Sequence, residues 1–139
     1  MIILDTNVLS QPSRQVPEAA VIAWLSRQRP DDLCATSINV MELLDGVMRL
    51  PQGARRRSIE AANTAVIATL AGRVHAFDEA AAAACAEVMN KARKTGFIVG
   101  LADGMIGGIA SLHGCSIATQ DEAPFNAMGL HVINPWTAR

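Results

Sequence analysis

Four acids stand out by where they fall in the chain. Asp5 ends the apolar run Met1–Leu4, Glu42 interrupts the apolar stretch Ile38–Leu50, Asp103 follows Leu101 and Ala102, and Asp121 follows the run Cys115–Thr119. Carboxylates sharing one cleft repel one another, and at least one of them takes a raised pKa unless a cation compensates. A divalent ion is the natural compensator. Mg²⁺ prefers octahedral oxygen coordination and is commonly held by one or two carboxylates together with water and a phosphate oxygen. Such an ion polarises a phosphate and activates a water for in-line displacement, so no amino-acid nucleophile is required. Each acid also has a plainer reading. Asp5, followed by Thr6, suits a turn or cap, Asp103 is favourable charge in the first turn of a helix, and Asp121 suits an N-cap. Glu42 is the exception, because a charge inside an apolar stretch is awkward unless it faces a cleft. Asp45, one turn further on, is taken as solvent-facing.

The elements that must position these acids are legible as alternating strands and helices. Met1 to Leu4 suits a buried strand whose carboxyl end opens into a loop at Asp5. A helix is expected from about Pro17 to Gln28, with Val21, Trp24 and Leu25 on one face, and Leu33 to Thr36 reads as a second buried strand. Thr36 or Ser37 then caps a helix carrying Val40, Leu43, Leu44, Val47 and Met48, which Pro51 ends. A stripe of Ile59, Ala62, Val66, Ile67 and Leu70 predicts a helix from Arg57 to Ala71, and Arg73 to Phe77 is a weaker strand. Asp78 is a good N-cap for the alanine-rich helix that follows, and Gly96 suits its C-terminal stop after Lys91, Arg93 and Lys94. The next helix covers Leu101 to His113 and stops at Gly114. Its internal Gly104, Gly107 and Gly108 each cost about 1 kcal/mol against alanine, which points either to close packing on the sheet, to room for a ligand, or to plain tolerance of glycine. Cys115 to Thr119 and His131 to Asn134 complete the strands, the last of them an edge strand stopped by Pro135.

This alternation predicts an α/β fold with a parallel, about five-stranded sheet covered by helices on both faces. In such a sheet ligands bind at the carboxyl ends of the strands, where the strand order reverses. Asp5 and Asp121 lie just past strands at that edge, and Glu42 lies on the helix that leaves it. Asp103 reaches it only if the two helices Asp78–Lys94 and Leu101–His113 form a hairpin that returns the chain to the right edge.

The chain has 139 residues, half of them apolar, which suits a single domain with one sizeable core. With 12 basic and 13 acidic residues and a formal charge of -1, it has no global positive field for nucleic acid. Contact with nucleic acid must be local, and Arg55, Arg56, Arg57 or Lys91, Arg93, Lys94 are the available clusters, although solvated helix faces account for both. Cys34, Cys85 and Cys115 show no CxxC spacing and read as reduced core residues, and His75, His113 and His131 lack zinc-site spacing. A nitrogen- or sulfur-rich metal centre is therefore not expected. The opening MIILDTN has no basic leader region and no stretch approaches membrane-spanning length, so a soluble cytoplasmic protein is expected.

Taken together, MIILDTNVLSQP, TSINVMELLDGVMRLP, ADGMIGGIASLHG followed by ATQD, and the closing INPW resemble the VapC-like toxins of the PIN-domain superfamily, and within them the FitB-like group. The resemblance spans essentially the whole chain. It implies a metal-dependent endoribonuclease using Mg²⁺ or Mn²⁺, the homodimeric toxin of a type II toxin–antitoxin pair, neutralised by a small antitoxin (VapB- or FitA-like) with a DNA-binding half. It also implies that Asp5, Glu42, Asp103 and Asp121 are the catalytic and metal-holding acids, with Asn7 and Thr119 as polar residues beside the site. Where family members often carry a further acid before the residue matching Phe125, this chain has Pro124. Two other readings remain. A strand ending in Asp5–Thr6 is similar to the phosphoaspartate site of haloacid-dehalogenase-like phosphatases, which however want an Asp where Asn7 stands. The domain could also be catalytically weak and act mainly by binding an antitoxin, with Met41 and Met48 on the partner surface or simply in the core.

Overall fold

The computed structural model describes residues 1–139. Five strands form one parallel sheet: β1 (Ile2–Leu4), β2 (Leu33–Thr36), β3 (Val74–His75), β4 (Ser116–Ala118) and β5 (Val132–Ile133), in the order β3-β2-β1-β4-β5. β1 is central, Ile3 pairing with Cys34 on one side and Ile117 on the other, so the strand order reverses between β1 and β4.

Each central strand sends successive residues to opposite faces, as the period of two requires. Ile3, Cys34 and Ile117 join one core cluster with Ile106, Ile109 and Phe125, whereas their neighbours Leu4, Ala35 and Ala118 join a second cluster with Val8, Val21, Trp24 and Leu43. Both faces are therefore sealed, which explains why the strands are apolar runs rather than alternating ones. Ile3 and Ile117 have no exposed surface, so truncation of either to alanine costs about 2–5 kcal/mol.

Seven helices cover the sheet: α1 (Thr6–Leu9), α2 (Ala19–Ser26), α3 (Ser37–Met48), α4 (Ala54–Thr69), α5 (Glu79–Lys94), α6 (Leu101–His113) and α7 (Glu122–Ala127). α3 starts with a capping box: the Thr36 hydroxyl accepts from the Asn39 amide at 3.1 Å and Asn39 Oδ1 accepts from the Thr36 amide at 3.0 Å. Ser37, the other cap candidate, instead accepts from the amide of Phe77 and ties α3 to the chain beyond β3. α5 begins at the expected Asp78 cap, whose carboxylate accepts from Ala81 N, and α6 ends at Gly114 in the left-handed conformation (φ 65°).

Three departures from the sequence reading have simple causes. α4 begins at Ala54, three residues early, because arginine is a good helix former even where no apolar stripe marks it. α7 went unrecognised because it contains Pro124, yet a proline in the first turn removes an amide that has no intrahelical partner anyway. The single turn α1 is too short to show a period.

Gly104 and Gly108 of α6 serve contact with α5 rather than with the sheet, while Gly107 faces the Met128 and Leu130 side chains. A Cβ on Gly108 would stand 2.6 Å from the backbone N and Cα of Cys85 in α5, and one on Gly104 would stand 2.5 Å from the Met89 sulfur. The methionine can move; the α5 backbone cannot. The absence of a side chain at Gly108 thus lets α5 and α6 close into the hairpin that returns the chain to the carboxyl edge of the sheet.

Candidate active site

Asp5 follows β1 at the reversal point and is 7% exposed. Its backbone conformation caps α1, and Oδ1 accepts from the Thr6 amide at 2.8 Å, so the plain capping reading is correct for this oxygen. Oδ2 accepts from the Thr119 hydroxyl at 2.7 Å, Thr119 itself lying just past β4. Asn39 Nδ2 and Asn7 Nδ2 donate to the two carboxylate oxygens, each at 3.4 Å. Asn7 also donates to Thr119 Oγ1 at 3.1 Å, and Thr119 Oγ1 accepts from Asp121 N at 3.1 Å. These bonds make β1, β4, α1 and α3 one polar frame around a single carboxylate.

Glu42 is held in the same frame through an intermediary. Thr6 Oγ1 donates to Glu42 Oε1 at 2.8 Å and accepts from Asn39 Nδ2 at 3.1 Å. Thr6 and Asn39 were not singled out as site residues by sequence reasoning. The only hint is the T-x-x-N spacing of Thr36 and Asn39, which advertises a cap rather than a second bond to an acid across the cleft. Asp45 points to solvent and pairs with Arg49 at 2.8 Å.

Electrostatics tie the remaining acids to this frame. Burial raises the pKa of Asp103, and the charges of Asp5, Asp121 and Glu42 add to it, so that its carboxyl is pushed up to about 6. Burial likewise raises Asp5, against the hydrogen bonds from Thr119 and Thr6, with the charge of Asp121 adding to the rise. Burial raises Glu42 too, opposed by the Thr6 bond and reinforced by Asp5. All four acids named from the sequence therefore feel one another, with Asp121 the exposed member. No protein cation offsets them: the ion pairs are Arg29–Asp32, Arg49–Asp45 and Arg73–Asp31, all elsewhere. A set of oxygen donors in which Asp5, Glu42 and Asp103 have raised pKa values, with no basic partner, fits a hard divalent cation.

The fold also gathers a group that linear spacing gave no reason to expect. One donor atom each from Cys34 in β2, His75 in β3 and Cys115 just before β4 lie within 4.8 Å of one another. The three residues come from three separate crossovers, which is why no local motif announces them.

Residues 2–129 match the family model described as PIN domain. The chain is 42% identical over 137 residues to VapC ribonuclease Y4jK of Sinorhizobium fredii, covering 98% of each chain. It is 37% identical to the toxin FitB of Neisseria gonorrhoeae, covering 98% of this chain and 99% of that one. A solved structure of FitAB bound to an IR36 DNA fragment superposes with a TM-score of 0.94 at 36% identity, covering 100% of this chain and 98% of that one. A phosphoaspartate phosphatase is thereby set aside, and the geometry and the sequence agree that this chain belongs to the PIN-domain family, in the branch that includes VapC and FitB.

Proposed function

We propose that this chain, a single PIN domain, is a metal-dependent endoribonuclease acting in the cytoplasm as the toxin of a type II toxin–antitoxin pair. The names of its relatives, VapC ribonuclease and toxin FitB, support the class of activity. The observation that carries the reading is Asp103, whose carboxyl is pushed up to about 6 by burial and by three further acids with no protein cation among them. Asp5 and Asp103, with Glu42 and Asp121, would hold Mg²⁺ or Mn²⁺. When bound, the ion supplies Lewis acidity toward a phosphodiester and offsets the charge that builds during displacement.

The protein's own part is positioning. Thr119 and Asn39 grip opposite oxygens of Asp5, so its carboxylate is fixed in rotation before any ligand arrives. Thr6 restrains one oxygen of Glu42 and leaves the other free. Asn7, through its bond to Thr119, fixes the hydroxyl that holds Asp5. Asp103 makes no such bond; its carboxyl, pushed up to about 6, holds its proton further up the pH scale than an ordinary aspartate until a cation displaces it.

A toxin–antitoxin assembly has its own support on α3. Met41, Leu44 and Met48 share one face of that helix, and Met41 and Met48 are 50% and 66% exposed, which removes core packing as their explanation. That surface suits a second copy of the chain or a small VapB- or FitA-like antitoxin. A domain that only binds its antitoxin would share it, so activity must decide. Purified protein is expected to cut RNA internally with Mg²⁺ or Mn²⁺ and to stop on addition of EDTA. Cleavage that persists in both Asp5→Asn and Asp103→Asn protein would assign the activity to a contaminant.

A further inference from the structure

Cys34, His75 and Cys115 are absorbed by nothing described so far. Cys34 is fully buried in the core beneath α5 and α6, Cys115 is nearly so, and both are free thiols. Their donor atoms and that of His75 lie within 4.8 Å of one another. His75 Nε2 is buried with no hydrogen-bond partner, an arrangement that costs about 1–3 kcal/mol unless something fills it. The His75 ring stacks on that of exposed His113, centroids 4.1 Å apart and planes 23° from parallel, so one side of the group opens toward solvent.

We propose that these three side chains form a second metal site, of the thiolate–imidazole kind that holds Zn²⁺, chemically separate from the carboxylate cluster. Two thiolates and an imidazole are a standard zinc donor set, with Zn–S near 2.3 Å and Zn–N near 2.0 Å. Donors within 4.8 Å of one another need only small side-chain rotations to meet one ion at those lengths. Charge favours a divalent ion. Each thiol gives up its proton on binding, so the ion plus two thiolates and a neutral imidazole is a neutral unit, the one outcome an apolar core accepts without a further counter-charge. A monovalent soft ion would leave a buried negative charge, and Mg²⁺ prefers oxygen. Burial, with Cys115 beside it, pushes the Cys34 thiol up to about 12, while the Met1 ammonium and Arg73 draw it down; without a metal the thiol keeps its proton. Occupancy would fasten β2, β3 and the end of α6 together, a clamp on the same helix whose first turn carries Asp103.

The test is a Co²⁺ titration of the reduced, chelator-treated full chain. The expected result is a near-ultraviolet thiolate-to-cobalt charge-transfer band that saturates at one ion per chain, is displaced by Zn²⁺ and is untouched by Mg²⁺. Cobalt held by carboxylates alone gives no such band, so Asp103→Asn protein must still show it. Cys115→Ser must lose it, and His75→Gln, at a partly exposed position that spares the core, must shift the titration to higher Co²⁺. Absence of the band in wild type overturns the proposal, as does a band that Cys115→Ser retains or a His75→Gln titration superimposable on wild type.

Discussion

The molecule holds two groups of ligand side chains, and they are built by opposite means. Asp5 and Glu42 at the carboxyl edge of the sheet are strapped down by Thr119, Asn39 and Thr6, while charge accumulates around them uncompensated. Cys34 and Cys115 lie in the apolar core beside His75 with little polar support: Cys115 Sγ donates to His113 O at 3.8 Å, and His75 Nε2 has no partner. The first group is prepared for a ligand by repulsion held in place; the second by an imidazole nitrogen left without a partner beside two buried thiols. The lesson is that a cluster of oxygens needs a scaffold of donors to stay assembled when empty, since its members repel, whereas protonated thiols pack like any other core residue and need no scaffold.

That contrast is broken most severely at Asp5. Asp5→Asn keeps the shape and removes the charge that the frame was built to hold, and RNA cleavage in Mg²⁺ is expected to fall below detection while urea unfolding stays cooperative. Asp5→Asn protein with near wild-type cleavage would mean that the frame serves α1 capping alone. Thr119→Ala tests the scaffold rather than the ligand. Loss of a residue that orients a metal-holding carboxylate typically costs about 10–100-fold in activity or metal affinity, so its cleavage should fall by that amount and recover partly as Mg²⁺ or Mn²⁺ is raised. A loss that added metal leaves unchanged would place Thr119 in substrate contact instead. Gly108→Ala probes the other side. The new Cβ meets the α5 backbone at 2.6 Å, and overpacking of this kind costs about 1–3 kcal/mol. A urea midpoint equal to wild type would show that α5 and α6 separate freely, and the hairpin would no longer explain how Asp103 reaches the site.

How much of this was legible depends on range. The strands, the Asp78 cap and the stop at Gly114 could be read because each is written in neighbouring residues. The four acids were legible as candidates because each sits where an apolar pattern breaks, and the family resemblance grouped them. Thr6 and Asn39 were not, since their roles arise from bonds that bridge 36 and 33 residues of sequence between α1 and α3. Cys34, His75 and Cys115 escaped for the same reason in a stronger form: their juxtaposition depends on the order β3-β2-β1-β4, which no local spacing encodes. The role of the α6 glycines was undecidable until the partner helix was known, because packing on the sheet, packing on α5 and room for a ligand all ask for the same residue.

The smallest effect, and the one that most sharpens the contrast, is on the pH dependence of stability. In the folded protein Asp103 titrates near 6, above its ordinary value of 3.8, because burial and the three acids penalise its ionised form. The folded state therefore binds that proton more tightly than the unfolded chain does. The associated stability is fully present below the unfolded value and is lost as pH rises through the folded one. Metal-free protein should accordingly lose stability between about pH 4 and 6, with the slope partly screened because Asp103 is only half-buried. Asp103→Asn should flatten that slope, and so should saturating Mg²⁺, since a bound cation removes the repulsion that raised the pKa. Zn²⁺ at the thiol group should instead lift stability more as pH rises, because binding releases the thiol protons, and should do so equally in Asp103→Asn protein. Chemical denaturation at a series of pH values, with and without each ion, separates the two. If Mg²⁺ leaves the slope of the wild-type protein unchanged, the raised pKa of Asp103 reflects burial alone, and the four acids do not share a cation.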